Sequence, residues 1–119
     1  MKKSSTTLLV FGIYLIGMGA GLVFMPNFVL RTLGFPATDE IWPHIVGVLA
    51  LALAFYYISA SRMDLRSFAR MTVPARIGVF LLFAGLVLAG LTGPVLIMLG
   101  AVDLLGALWT GSALRAEGS

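Results

Sequence analysis

The sequence predicts an all-α integral membrane protein, a four-helix bundle with both termini in the cytoplasm (N-in/C-in) and short interfacial helices in its first and second connections. Hydrophobic residues make up 60% of the 119-residue chain and charged residues 11%, whereas soluble domains average roughly 45–50% and 25%. A domain this small cannot bury so much apolar surface. Four apolar segments approach the ~20 residues that a membrane helix needs, and nearly all cations fall on one side of them.

The four predicted spans make up a single transmembrane domain, residues 1–119. They run over residues 8–25, 41–60, 74–91 and 94–111. The first span contains no charge and is longer than the apolar core of a signal peptide, roughly 7–15 residues, so we interpret it as a retained helix. Uninterrupted apolar runs of this length also differ from the short alternating segments of a membrane β-barrel.

The connections between the spans differ in length and composition. Residues 92–93 allow only a tight turn between the third and fourth spans. In the first connection, Pro26 is suited to begin a helix and Gly34 to end it, which predicts a short interfacial helix. In the second connection, Leu65 and Phe68 alternate with arginines at helical spacing, which predicts an amphipathic helix along the headgroup surface.

Charge predicts the orientation of the bundle. With four spans, seven of the eight cations fall on one side and only Arg31 falls on the other. Because positive residues concentrate in cytoplasmic loops, the sequence predicts a multi-pass protein of the inner (plasma) membrane with both termini in the cytoplasm. The cations on that side are Lys2, Lys3, Arg62, Arg66, Arg70, Arg76 and Arg115.

Several classes of function are disfavoured by residues that the sequence lacks. There is no cysteine, which excludes thiol catalysis and Cys-ligated metals. The chain has one histidine and carries no phosphate-binding glycine loop, hydrolase motif or zinc-protease motif. We therefore expect no catalytic residues, no metal, no cofactor and no nucleic-acid partner, and an enzyme is the less favoured interpretation.

Asp103 is the most informative polar residue. A carboxylate at the centre of a membrane helix costs about 2.5–3.5 kcal/mol to insert, so it should face the bundle interior and have a partner. Arg76, one turn inside the third span, is the first candidate, and Tyr14 in the first span is the second. These residues form either a ligand-binding or proton-relay site or an ion pair that locks two helices, and both interpretations stay open.

Small residues in the spans predict close helix packing. Gly17 and Gly21 lie one turn apart in the first span, and Gly100 and Gly106 lie in the fourth. These glycines serve either contacts within one bundle, the favoured interpretation, or a dimer interface. His44, at the outer end of the second span, is a candidate for a catalytic or pH-sensing role, although a lone histidine at an interface is more often simply solvated.

Several short motifs resemble the DoxX-like group of small bacterial four-helix membrane proteins. The resemblance implies the same four-helix fold; most members have no assigned activity, and a few resemble subunits of quinone-linked oxidoreductases. Members often carry an arginine near the position of Gly47, where this chain has His44. The matching features are the glycine-rich first span, Phe24-Met25-Pro26, Leu33-Gly34-Phe35-Pro36, Gly47, and Asp103-Leu104-Leu105-Gly106.

Three hypotheses for the function follow. The first is a non-enzymatic inner-membrane protein, either an accessory subunit of a larger membrane complex or a self-associating bundle that forms a homo-oligomer among membrane lipids. The second is the binding of a lipid, quinone or other apolar ligand within the bundle, with Arg76 and Asp103 as the polar end of the pocket. The third is a small proton-coupled transporter that uses Asp103.

Overall fold

The computed structural model describes residues 2–117, and these residues form five helices. Four of the five, all except the second, are long and apolar enough to cross a membrane, which is consistent with a multi-pass membrane protein. The predicted all-helical class with four candidate spans is confirmed. The helices are α1 (Lys3–Phe24), α2 (Pro26–Thr32), α3 (Trp42–Arg62), α4 (Arg66–Leu88) and α5 (Val95–Ala116).

α2 confirms the short helix predicted in the first connection. Pro26 is its first residue, and Gly34, just beyond its end, has a φ of 84°, a conformation that glycine adopts without strain. The Asn27 side-chain oxygen accepts a hydrogen bond of 2.9 Å from the Thr38 backbone N–H. This bond holds the rest of the connection against α2.

The second connection differs from the prediction. Residues 66–73 do not form a separate interfacial helix, because they are the first turns of α4, which continues through Pro74. A proline removes one backbone donor from a helix, and the sequence-based interpretation was wrong to place a helix start there. α3 and α4 are instead joined by residues 63–65, in which Asp64 has a φ of 50°.

α1 is the central helix of the bundle. It packs along α3 and also contacts α5, α2 and α4, while α4 packs along α5. Within residues 2–117, α3 and α4 do not pack along their lengths, although they are consecutive. The molecule is accordingly flattened, with extents of 47 × 30 × 16 Å.

Glycines bring α1 and α3 into backbone contact. A Cβ atom added to Gly47 would lie 2.8 Å from the backbone oxygen of Gly19, and one added to Gly19 would lie 2.9 Å from the backbone oxygen of Gly47. Gly12, two turns earlier on α1, is covered by the Ile58 side chain, 2.7 Å from the position of an added Cβ. This close approach is the small-residue packing that membrane helices favour.

The start of α1 is bound to the turn between α3 and α4. The Asp64 carboxylate accepts hydrogen bonds from the Lys2 backbone N–H, at 3.2 Å, and from the Ser5 hydroxyl, at 2.5 Å. The Ser61 hydroxyl donates to the Ser5 backbone oxygen at 2.7 Å. These contacts bring the start of α1 to the end of α3.

The end of α5 reaches the same region. The Glu117 carboxylate accepts hydrogen bonds from the backbone N–H of Ser4, at 2.8 Å, and from its hydroxyl, at 2.9 Å. It also forms an ion pair of 3.2 Å with Arg66 at the start of α4. Both ends of the described chain and the α3–α4 turn therefore lie together, and we call this part of the molecule the termini end.

Candidate functional site

A cleft lies between α3 and α4, with α1 and α5 as its floor. Its volume is about 410 Å³, within the range of roughly 300–1,000 Å³ that is typical of small-molecule sites. Its α3 lining runs from Val46 to Tyr57, a length of about 16 Å at a rise of about 1.5 Å per residue. The lining residues are Phe11, Tyr14, Leu15, Met18, Val46, Leu49, Ala50, Leu53, Tyr57, Ala75, Arg76, Val79, Phe83, Leu99 and Asp103.

The cleft opens sideways, toward the surroundings of the bundle. Val46, Leu49 and Leu53 line it and are exposed, Leu49 to 60%. Because α3 and α4 do not close over it, the opening would face the acyl chains of a bilayer.

Arg76 is the buried cation of the cleft, with 2% of its surface exposed. Its guanidinium carbon lies 4.9 Å from the ring centre of Phe11 and 5.8 Å from that of Tyr57, within the range of cation–π attraction. Its Nη2 atom donates hydrogen bonds to the hydroxyl oxygens of Thr72, at 2.9 Å, and Thr110, at 2.7 Å. The cation is thus held by α1, α3, α4 and α5.

A chain of hydroxyl groups continues from Arg76 to the start of α1. The Thr7 hydroxyl lies 2.6 Å from the Ser4 backbone oxygen and 2.7 Å from the Thr110 hydroxyl. Because the single hydroxyl hydrogen of Thr7 goes to the Ser4 oxygen, Thr110 donates to Thr7 and accepts from Arg76. We call Ser4, Thr7, Thr72, Arg76 and Thr110 the polar seam; all five are buried.

One nitrogen of Arg76 has no partner. Nη1 is buried and makes no hydrogen bond among residues 2–117. It lies against Gly106, where an added Cβ atom would be 2.9 Å away, so a larger residue at this position would displace the end of the Arg76 side chain. An unsatisfied buried polar group costs about 1–3 kcal/mol, and more when charged, and the attraction between the guanidinium and the Phe11 ring offsets part of this cost.

Asp103 and Arg76 line the same cleft without forming the predicted ion pair. In the described part of the chain, no carboxylate lies within the 4.0 Å ion-pair distance of the Arg76 guanidinium. The physical reason is the direction of the arginine side chain, which turns back toward Thr72 and Thr110 rather than toward the middle of α5. Asp103 is half-buried and accepts no hydrogen bond within residues 2–117.

Tyr14 also lines the cleft, on α1. It is half-buried, and its ring contacts that of Phe11 with 5.5 Å between centres. The structure therefore brings the three polar residues singled out from the sequence, Asp103, Arg76 and Tyr14, to one cavity.

The glycines singled out from the sequence lie in different surroundings. Gly100 is covered by Phe80 and Phe83 of α4, and Gly21 faces Val29 of α2, 2.9 Å from the position of an added Cβ. An added Cβ at Gly17 would meet nothing within 4 Å. Gly106 is the one that shapes the site, because it makes room for Arg76.

His44 lies outside the cleft, near the start of α3. Its Nδ1 atom is 2.9 Å from the backbone oxygen of Val23 in the last turn of α1. A carbonyl oxygen only accepts, so the imidazole donates this hydrogen bond and satisfies a helix-end carbonyl that has no donor within its own helix.

The three threonines of the polar seam were not predicted as site residues from the sequence. A single threonine in an apolar helix is common and carries little information. One signal was available, because Thr72 lies four residues before Arg76 and residues at that spacing are neighbours on a helix surface. The contributions of Thr7 and Thr110 depend on the packing of α1 and α5 against α4, which the sequence pattern does not give.

Comparisons with known proteins do not assign this site. No family model, no curated protein and no solved structure gives a significant match to the chain. The resemblance to DoxX-like proteins therefore stays a prediction, and the function is argued from the cleft itself.

Proposed function

We propose that this protein binds a molecule from the membrane, an apolar or amphipathic ligand, in the cleft between α3 and α4. The observation that carries the proposal is a mainly apolar cavity of about 410 Å³ that has Arg76 and Asp103 in its lining. Ligand sites are typically apolar with a few convergent polar groups that fix the orientation of the ligand. Arg76 and Asp103 supply those groups here.

The separation of α3 and α4 supports this proposal. The two interfaces that flank the cleft are well packed, α1 against α3 and α4 against α5, so the cleft is not a sign of a poorly packed bundle. An open apolar surface of this kind gains dispersion contacts from whatever chain fills it. A ligand that also offers a hydrogen-bond donor to the half-buried Asp103 carboxylate is favoured over a plain acyl chain.

The distribution of charge supports an inner-membrane location with the termini end in the cytoplasm. Lys2 and Arg66 lie at the termini end, and Arg62 ends α3 beside them. Arg31 lies on α2, beyond the opposite end of α1. Positive residues concentrate on the cytoplasmic side of membrane proteins, so a ligand would have its polar group on the cytoplasmic half of the bundle.

A pair of matched variants tests ligand binding. Ala75 lines the cleft and is exposed, so Ala75→Phe should fill the cleft without disturbing the buried core; Ala52, exposed on α3 outside the cleft lining, provides the control Ala52→Phe. The measurement is native mass spectrometry of the protein released from nanodiscs of native membrane lipid. We expect a retained small molecule on the wild type and on Ala52→Phe, and its loss from Ala75→Phe.

The proposal fails if the wild type carries no retained molecule, or if Ala75→Phe retains it as fully as Ala52→Phe does. The same spectra report the oligomeric state. The hypothesis of an accessory or self-associating bundle stays a prediction, for which the open space beside Gly17 is the supporting observation. A dimer that Gly17→Val abolishes would favour that second candidate.

A further inference from the structure

A groove follows the contact between α1 and α5, on a different side of that contact from the α3–α4 cleft. α5 presents Asp103 to the cleft and Leu105 to the groove, and these positions lie about 200° apart around a helix of about 3.6 residues per turn. The groove consists of two adjoining cavities of about 340 and 380 Å³ that share Trp109. We call it the α1–α5 groove, and its lining comes from residues 3–14 of α1 and 102–116 of α5.

The polarity of the α1–α5 groove changes along its length. At the termini end its lining includes Lys3 and Ser112, and both are exposed. Farther into the bundle the lining is mainly apolar, with Val10 and Leu105 exposed on the two helices. Trp109 lines both parts, and tryptophan is enriched at the level of lipid headgroups because its ring is amphipathic. The groove therefore offers a polar end and an apolar end to one molecule.

The length of the groove matches one leaflet of a bilayer. Along α5 the lining extends from Ala116 to Val102, which is about 21 Å at a rise of about 1.5 Å per residue. A bilayer is about 40–45 Å thick with its headgroups, so one leaflet takes about half of this. A lipid that lies along the groove with its head at the termini end is therefore in the orientation it has in the leaflet.

The charge at the polar end favours an anionic head. Lys3 lines the groove there, and Arg115 is exposed on α5 three residues after Ser112, a spacing at which side chains are neighbours on a helix surface. The Glu117 carboxylate, at the end of α5, is already paired with Arg66. Lysine binds phosphate as a point charge, and basic residues at a membrane surface attract anionic lipids.

We propose that the α1–α5 groove binds one anionic phospholipid, with its phosphate at Lys3 and Ser112 and one acyl chain along Val10 and Leu105. A zwitterionic head is disfavoured because its cation would lie among basic side chains. The site is separate from the α3–α4 cleft and does not depend on the ligand proposed there.

The head is tested in nanodiscs that contain the full chain and equal parts of phosphatidylglycerol and phosphatidylcholine with the same acyl chains. Native mass spectrometry of the released protein should show one retained lipid, mainly phosphatidylglycerol. Lys3→Gln should lower the ratio of retained phosphatidylglycerol to phosphatidylcholine about fivefold, the value of one basic residue near a membrane surface. Arg31→Gln removes the same charge from α2, at the opposite end of α1, and should leave the ratio unchanged.

The position of the acyl chain is tested with a second pair of variants. Val10→Trp fills the apolar part of the groove, and Ile16→Trp adds the same side chain to α1 outside the groove lining. Both positions are exposed, so neither substitution disturbs the buried core. We expect Val10→Trp to lose the retained lipid and Ile16→Trp to keep it.

Equal retention of the two lipids by the wild type, or of lipid by Val10→Trp and Ile16→Trp, would overturn the proposal. Loss of the phospholipid from Ala75→Phe but not from Val10→Trp would place it in the α3–α4 cleft, which overturns this site and leaves the proposed function standing. A dimer that carries no lipid and that Val10→Trp dissociates would assign the groove to a second copy of the chain.

Discussion

The two sides of α3 are built differently. On the side of α1, Gly19 and Gly47 allow backbone to meet backbone. On the side of α4, Val46, Leu49 and Leu53 face an open cleft. The difference shows how residue size determines helix spacing: small residues bring α1 and α3 into contact, whereas the side of α3 toward α4 carries large side chains and packs along no helix of the described chain.

A second difference separates the two ends of the bundle. At the termini end, a hydrogen bond joins α1 to the end of α5, and a hydrogen bond and an ion pair join α4 to α5 and its end, whereas the far half of the cleft is lined by apolar side chains. The molecule is therefore closed by polar contacts at one end and left open in the middle. Substitutions at the two sides of α3 and at the two ends of the bundle test these differences.

The largest effect is expected at the α1–α3 contact. Gly47→Ala places a Cβ atom 2.8 Å from the Gly19 oxygen and should lower the free energy of unfolding by about 3 kcal/mol, as overpacking does. Gly17→Ala, where nothing lies within 4 Å, should raise it by about 0.5–1 kcal/mol through helix propensity. Equal effects of the two variants in reversible denaturation from detergent would contradict the close contact.

The polar seam should come next. Thr110→Val keeps the shape of the side chain but leaves Arg76 Nη2 and the Thr7 hydroxyl without one partner each, at a cost of about 2 kcal/mol. Ser112→Val, at an exposed position on the same helix, is the control and should change the stability by less than about 0.5 kcal/mol. If Thr110→Val is as stable as the control, the seam does not hold the bundle together.

His44 gives a smaller effect at the far end of the α1–α3 contact. His44→Phe removes the hydrogen bond to the Val23 oxygen and should lower stability by about 1 kcal/mol, the net value of a typical intramolecular hydrogen bond. His44→Gln offers a replacement donor and should recover part of the loss. If the same denaturation assay shows that His44→Phe and His44→Gln are equally destabilised, the hydrogen bond to Val23 is not what His44 contributes to stability.

The smallest effect is expected from acid at the termini end. The Ser4 backbone N–H, with further contributions from the Ser4 hydroxyl and Arg66, lowers the pKa of Glu117 from its ordinary 4.5. The Ser5 hydroxyl and the Lys2 backbone N–H likewise lower the pKa of Asp64 from 3.8. Groups whose pKa is lowered on folding stabilise the protein above the unfolded pKa, and this contribution is lost as the pH falls through the folded pKa.

The unfolding midpoint should therefore fall below a pH of about 4.5 and stay level above it. Glu117→Gln should show a shallower fall, since one of the two carboxylates no longer titrates. A midpoint that drops instead between pH 6 and 8, on the order of the usual histidine range, would assign the effect to a group other than these two.

Much of the fold could be predicted from the sequence because long apolar helices are recognisable from the length and composition of a segment alone. The apolar runs gave all four long helices, and Pro26 and Gly34 gave the bounds of α2 almost to the residue. The interpretation of residues 66–73 was wrong because the same pattern of arginines fits two structures, a separate helix along the headgroup surface and the first turns of a long helix. The structure has the second of these.

The site was less predictable. Arg76, Asp103 and Tyr14 could be singled out because polar groups are rare in such segments, and all three line the cleft. The distance between Arg76 and Asp103 depends on side-chain direction, however, and the threonines at positions 72 and 110 determine that direction. No local pattern contains this information, because Thr110 is 34 positions away from Arg76.

The hydrogen bond between Ser4 and Glu117 has a consequence for biogenesis. The two residues are 113 positions apart, so α1 is synthesised long before its last partner leaves the ribosome. Until α5 is made, the hydroxyls of Ser4 and Thr7 lack their partners Glu117 and Thr110. The bundle therefore closes only after α5 is inserted, and substitutions of Glu117 should slow the final assembly step more than they reduce the number of helices inserted.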